Sequence, residues 1–208
     1  CGSSQPPVSS LLLLASYLLG SIPSGLLLAR RAGIDVRRTG SGNIGAANVA
    51  RAAGARLGVA TLLADVFKGA LPVVVGRCTS QGPSILAAAG LLAFLGHVFP
   101  FALGFRGGKG VATALGALLA LCPWAVGVPV VVFAVTLAGV GYVSVASMVA
   151  ALAAPAASTL LDCPPPVTRA VLVMSLVIVA RHSDNLRRLL AGTEPRISLL
   201  KKQAPPAK

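Results

Sequence analysis

Residues 83–121 read PSILAAAGLLAFLGHVFPFALGF, then RGGKG, then VATALGALLAL. The first run, Pro83–Phe105, carries no Asp, Glu, Lys or Arg and exceeds the roughly 20 helical residues that a hydrocarbon core of about 30 Å requires. The second, Val111–Leu121, is too short to stand alone in lipid and has to be sheltered by neighbouring helices. Between them Arg106 and Lys109 sit among glycines, the arrangement by which open backbone and a point charge surround an anion at a helix start. Two apolar runs joined by a basic glycine loop decide the fold class: helices in a membrane, with polar chemistry at one face.

The rest of the chain follows the same plan. Of its 208 residues 55% are hydrophobic and 11% charged, with a mean hydropathy of +0.84, whereas soluble domains carry roughly a quarter charged residues. Further spans read Val8–Leu28, Leu57–Val75, Trp124–Val140, Tyr142–Leu161 and Val167–Ala180, with Gly141-Tyr142 as the break between two of them. The expectation is an all-α polytopic bundle of about seven transmembrane helices, one domain over residues 1–208, with flexible ends at 1–7 and 197–208. The stretch from 111 to 161 divides less cleanly, and a count of five or six also fits it. Abundant Ala and Gly suit close helix packing in lipid.

Five acids face eighteen basic residues, a net charge of +13. Nucleic acid is one partner for such charge, but basic clusters spaced between apolar runs fit the positive-inside rule better. With the N-terminus outside and the C-terminus cytoplasmic, fifteen of the eighteen fall on the cytoplasmic side, all but Lys68, Arg77 and Arg169. Cys78, Cys122 and Cys163 then share the outer face, either disulfide-linked or as unpaired small hydrophobes. There is no CxxC pair and there are only two histidines, so no metal cage of familiar spacing is expected. Cys1-Gly2-Ser3-Ser4 matches the start of a mature bacterial lipoprotein and, equally, a renumbered or truncated chain.

Gly40-Ser41-Gly42-Asn43-Ile44-Gly45 precedes a helical run from Ala46 to Arg51. This reads as a glycine turn opening a helix whose free N–H groups point at an anion. Asn48 and Arg51 share a face and reach the same ligand. No strand precedes the glycines, so the dinucleotide reading fails. In Gly107-Gly108-Lys109-Gly110, followed by Val111-Ala112-Thr113, the glycine spacing is not that of a Walker loop. In the Leu57–Val75 span, Thr61, Asp65 and Lys68 recur on one face, and an ionised group there needs a reason. Asp65 and Lys68 either pair internally or aim at the glycine cradles. His97 reads as a packing residue. His182 and Asn185 share a helical face at the inner end of the last span, and Ser144 and Ser147 present two hydroxyls at the start of another.

Taken in order, Gly20–Gly25, Gly40–Arg51, Asp65-Val66-Phe67-Lys68-Gly69, Gly96–Pro100, Phe105–Thr113 and Arg181–Leu186 closely resemble the bacterial acyl-phosphate:glycerol-3-phosphate acyltransferase family, from about Leu11 to Arg196. Two positions depart from its pattern, Ile44 for Pro and Ala47 for Thr, and neither removes a charge. The resemblance implies a multi-pass enzyme of the bacterial inner membrane with its site at the cytoplasmic face. It implies transfer of a fatty acyl group from acyl phosphate to the 1-hydroxyl of glycerol 3-phosphate, giving lysophosphatidic acid and phosphate. No cofactor and no metal is implied. Such an enzyme works downstream of one that forms acyl phosphate and upstream of a second acyltransferase, with membrane lipid around it and no nucleic acid.

On that basis Ser41, Lys109 and His182 are the expected catalytic residues. Substrate binding is expected from Gly40, Gly42, Asn43, Gly45, Asn48 and Arg51, from Lys68, from Gly107, Gly108, Gly110 and Thr113, and from Ser144, Ser147 and Asn185. Ser41, Asn43 and the loop N–H groups hold the acyl phosphate head, Arg51 and Lys109 neutralise the two phosphates, and Ser144 or Ser147 with His182 and Asn185 positions glycerol 3-phosphate. The attacking hydroxyl gives its proton to His182 or to a substrate phosphate. A His-x4-Asp acyl-CoA chemistry is absent, since the fifth residue after His97 is Ala102 and after His182 is Arg187. The rival is a transporter or channel for small phosphorylated anions.

Overall fold

A computed structural model describes residues 6–196. Ten α-helices follow in order among the described residues: α1 (Pro6–Gly20), α2 (Ser24–Arg31), α3 (Ala46–Ala53), α4 (Ala55–Cys78), α5 (Pro83–Val98), α6 (Val111–Leu121), α7 (Gly127–Val140), α8 (Val143–Leu160), α9 (Pro165–Ala180) and α10 (Ser183–Leu190). Short 3-10 turns at Val36–Arg38, Phe101–Leu103 and Pro123–Val126 join them, and no strand occurs in the described residues. Cys1 and residues 197–208 lie outside the described residues; Pro6 and Pro7, expected in a flexible end, begin α1.

Local chemistry sets the boundaries. Pro83 and Pro165 open α5 and α9, where a missing N–H costs nothing. Gly141, at φ +75°, closes α7 in the left-handed conformation and separates it from α8, as the sequence suggested. The expected single span Val8–Leu28 is instead two helices bent by 41° at Gly20–Pro23. Pro23 lacks the donor that would continue the ladder, and a Cβ at Gly20 would collide with the Ala93 backbone of α5.

Four segments are long and apolar enough to cross a bilayer: α4, Pro83–Leu103, Pro123–Val140 and α8. The bent pairs α1–α2 and α9–α10 raise that to six, and α6 remains as a shorter apolar helix. At about 1.5 Å per residue α6 reaches roughly half of the hydrocarbon thickness. Its shelter is α4: Gly69 lies against the Thr113 carbonyl and Gly116 against the Val66 carbonyl, contacts that any side chain would prevent. The main core, including Phe94, Val98, Leu118, Met174 and Ile178, lies between α5, α6, α8 and α9. α7 packs chiefly on α8 and leaves Val128, Val131 and Val135 exposed.

Cys122 and Cys163 form a disulfide, while Cys78 is free and exposed. The bridge ties the end of α6 to the α8–α9 turn, and the Trp124 indole donates to the Leu161 carbonyl beside it at 3.0 Å. Both links lie at the opposite end of the bundle from Gly110, where α6 starts.

Candidate active site

The glycine turn before α3 is held by one side chain. Gly40 and Gly42 adopt φ of +60° and +70°, which bends the chain around Asn48. The Asn48 Nδ2 donates to the carbonyls of Val36, Thr39 and Asn43, and its Oδ1 accepts from the Ser41 N–H at 2.9 Å. Its hydrogen-bonding capacity is thereby spent on the loop. Asn48, expected to bind substrate directly, lines the cavity while its amide holds the loop that carries Ser41 and Asn43. Asn43 Oδ1 in turn accepts from the Gly45 N–H at 2.7 Å, just before α3 starts. Arg51, one turn into α3 and exposed, faces the same cavity.

The second loop is built differently from expectation. The N–H groups of Gly107 and Gly108 donate to the carbonyls of Val98 and His97, closing the C-terminal end of α5. They are spent on that end, which leaves the Lys109 side chain and the N–H groups of the first turn of α6 as the donors this loop can offer an anion. Gly108 is required because a Cβ there would strike the His97 ring, and Gly110 because it combines φ +82° with contact against Phe94. His97 is thus a packing residue, as read, and also part of the cavity wall.

Behind His97 lies a buried charge cluster. Asp65 Oδ1 is 2.9 Å from Lys68 Nζ and 3.6 Å from His97 Nδ1. Lys68 Nζ also donates to the Ile22 carbonyl at 2.8 Å, satisfying the backbone freed at the α1–α2 break. Lys68, expected to bind substrate, lines neither of the two cavities described below and is 3% exposed, its ammonium engaged by Asp65 and the Ile22 carbonyl. Thr113, also expected at the substrate, is fully buried and lines neither cavity, its hydroxyl has no partner among the described residues, and its backbone carbonyl lies against Gly69 of α4.

The remaining wall comes from α8, α9 and α10. His182 Nδ1 lies 2.7 Å from the Ile178 carbonyl, to which its N–H donates a hydrogen bond, leaving Nε2 as an acceptor. Burial, reinforced by the Lys109 charge, pushes its pKa down to about 4, so the ring is neutral. Lys109 Nζ donates to Asn185 Oδ1, and Asn185 Nδ2 donates to Glu194 Oε1 at 2.6 Å. Burial pushes Lys109 down to about 8, against the pull of Glu194. Glu194 also accepts from Arg188 Nε at 2.8 Å. Burial works against its ionised form, but the Ser144 hydroxyl beside it and the donors of Asn185 and Arg188 outweigh that and hold it below the usual carboxylate range.

These groups surround a cavity of about 410 Å³. Ser41, Arg51, Lys109, Ser144, Ser147 and His182 line its polar end; Gly45, Asn48, Gly110 and Asn185 also contribute. Its floor is apolar, with Leu118, Ala154, Val171 and Met174, and the Ser175 hydroxyl there is spent on the Ala151 carbonyl at 2.6 Å. A second, polar chamber of about 240 Å³ adjoins it and takes in Gly42 and Gly107. Gly40 and Gly108 line neither cavity and act through Asn48 and His97. Glu194 was missed in the sequence. Its signal was its rarity, one of five acids, set in a basic C-terminal stretch.

Known proteins share this architecture. Residues 10–192 match the family model described as glycerol-3-phosphate acyltransferase. The glycerol-3-phosphate acyltransferase of Geobacter sulfurreducens is 46% identical over 89% of this chain and 96% of its own, and that of Geobacter metallireducens 48% identical over 91% and 97%. The crystal structure of PlsY, an integral membrane glycerol 3-phosphate acyltransferase, superposes in its glycerol 3-phosphate form with a TM-score of 0.88 at 38% identity, covering 93% of this chain and 97% of that one. Its lysophosphatidic acid form gives a TM-score of 0.86 at 37% identity. With a family match over residues 10–192 and relatives of this identity aligned over nearly their full length, the chain belongs to the glycerol-3-phosphate acyltransferase family.

Proposed function

We propose that the protein moves a fatty acyl group from acyl phosphate to the 1-hydroxyl of glycerol 3-phosphate, giving lysophosphatidic acid and phosphate. The observation that carries this reading is one cavity with an apolar floor and a polar end lined by Arg51, Lys109 and His182. A lipid tail and phosphate groups need that combination. The glycerol 3-phosphate and lysophosphatidic acid forms of the PlsY structure support this acceptor and product. Acyl phosphate as donor agrees with the absence of a convincing nucleophile: an activated acyl group needs no acyl-enzyme, only orientation and charge stabilisation.

Ser41, Asn43 and the α3 loop hold the head of acyl phosphate while its tail lies along Met174 and Leu118. Arg51, Ser144, Ser147 and Asn185 position glycerol 3-phosphate. Lys109, lying between the two groups, neutralises charge as the carbon–oxygen bond to phosphate breaks. His182 Nε2 accepts a hydrogen bond from the attacking hydroxyl. With its pKa near 4 the ring is a weak base, and a substrate phosphate, of second pKa about 6, is the better final acceptor of the proton.

The same reading orients the protein in a bacterial inner membrane with seven crossings, the site on the cytoplasmic side, where fifteen basic residues gather. It stands between an enzyme that forms acyl phosphate and a second acyltransferase. The assay uses purified protein in detergent with palmitoyl phosphate and palmitoyl-CoA side by side. Lysophosphatidic acid from palmitoyl phosphate alone is the expected result. No product from either donor refutes the enzyme, and a transporter would give none without a sealed compartment.

A further inference from the structure

The large cavity and the polar chamber meet at a shared wall made of Ser41, Asn43, Lys109 and Asn185. Their outer rims face different media. Leu62 and Val130, on the rim of the large cavity, are exposed apolar residues of spanning helices, so that cavity opens towards lipid. The chamber is rimmed by Arg106, in the loop before α6, and by Ser183 and Asp184, in the first turn of the polar helix α10, all three exposed, so it opens to water.

We propose that the chamber is a binding site for inorganic phosphate, the second product of acyl transfer, and its route to water, formed by Arg106 and Arg181 with Lys109. This rests on the acyl-transfer reading. In that reaction the hydroxyl oxygen of glycerol 3-phosphate bonds to the acyl carbonyl carbon. The bond from that carbon to the bridging oxygen breaks, its electron pair stays with phosphate, and the hydroxyl proton ends on the same phosphate. One product keeps a tail in the apolar cavity and leaves through the lipid-facing mouth. The other is a small dianion whose passage past Leu118 and Met174 would strip its hydration at great cost.

The chamber offers what that anion needs. Arg181 Nη2 donates to the Gly107 carbonyl at 3.2 Å, and the guanidinium lies over the Phe99 ring at 5.9 Å. Its Nε is buried without a partner. A guanidinium fixed in place with a donor to spare is a ready contact for phosphate oxygens. Arg106 is exposed at the mouth and, among the described residues, its side chain has no partner. Competing charges are already paired: Asp184 faces Arg187 at 3.6 Å, and Arg188 is bound to Glu194.

The test uses the full chain in detergent with inorganic phosphate as probe and Arg106→Gln as variant, whose exposed position leaves folding intact. Phosphate is expected to inhibit competitively against palmitoyl phosphate and not against glycerol 3-phosphate. In Arg106→Gln its inhibition constant rises about tenfold, the scale of one charge-assisted bond, while KM for glycerol 3-phosphate stays put. Equilibrium binding of labelled phosphate to substrate-free protein shows the same loss and requires no turnover. Competition against glycerol 3-phosphate instead, or equal phosphate affinity in both proteins, overturns the chamber assignment and leaves acyl transfer standing. Absence of acyl transfer by the unmodified protein sinks the activity reading, and the binding measurement then decides the chamber by itself.

Discussion

Lys109→Ala removes the one positive charge common to both cavities. The ammonium is half-buried and already relieved of much of its water, which is why its pKa falls to about 8. A unit charge about 4 Å from it, at an effective dielectric near 20, is attracted by about 4 kcal/mol. Since each decade of rate corresponds to about 1.4 kcal/mol, losing a contact of that size in the transition state slows turnover about 1,000-fold. An exposed pair, at under about 1 kcal/mol, would cost less than tenfold. The fold should survive, because Asn185 stays anchored to Glu194 at 2.6 Å and the loop is held by the α5 carbonyls. The assay is initial rate with palmitoyl phosphate and glycerol 3-phosphate, beside thermal unfolding of the same preparation. A folded variant within about tenfold of the unmodified rate would refute the argument.

The same lysine sets a pH dependence: the ammonium is lost as pH rises through about 8, so kcat/KM should fall there. Lys109→Arg, which stays charged, should abolish that limb; an unchanged limb assigns it elsewhere. Asp65→Ala leaves Lys68 buried without its counter-ion, a break that costs about 3–5 kcal/mol. Thermal unfolding should show that loss, and Asp65→Leu with Lys68→Met should recover part of it. Reducing the Cys122–Cys163 bridge, whose ends are 41 residues apart, should lower the unfolding temperature by the equivalent of about 4 kcal/mol in the chain-entropy model. Turnover at moderate temperature should not change, since the bridge lies at the far end of α6; a parallel loss of rate would contradict that placement.

Much of the helical layout was written in local composition. Pro83, Gly141, the apolar run Val111–Leu121 and the span Val167–Ala180 mark ends that reappear within a residue or two in α5, α7, α6 and α9, because caps and span lengths depend on neighbours in the chain. The Gly20–Pro23 break was visible as residues but not as a bend. It needs α5 to fill the gap at Gly20 and Lys68 to satisfy Ile22, contacts that come from distant segments.

The site divides in the same way. Composition and motif marked Ser41, Arg51 and Lys109 as candidates for phosphate chemistry, since charge and small polar side chains among glycines have few other uses in an apolar chain, and the family resemblance added His182 and Asn185 as expectations. Only the tertiary structure decided which groups face the cavity. It spent Asn48 and the Gly107 and Gly108 amides on holding loops, moved Lys68 and Thr113 into the packing, and brought in Glu194. A side chain's hydrogen-bonding capacity is finite, and what claims it first is whatever folding places within reach.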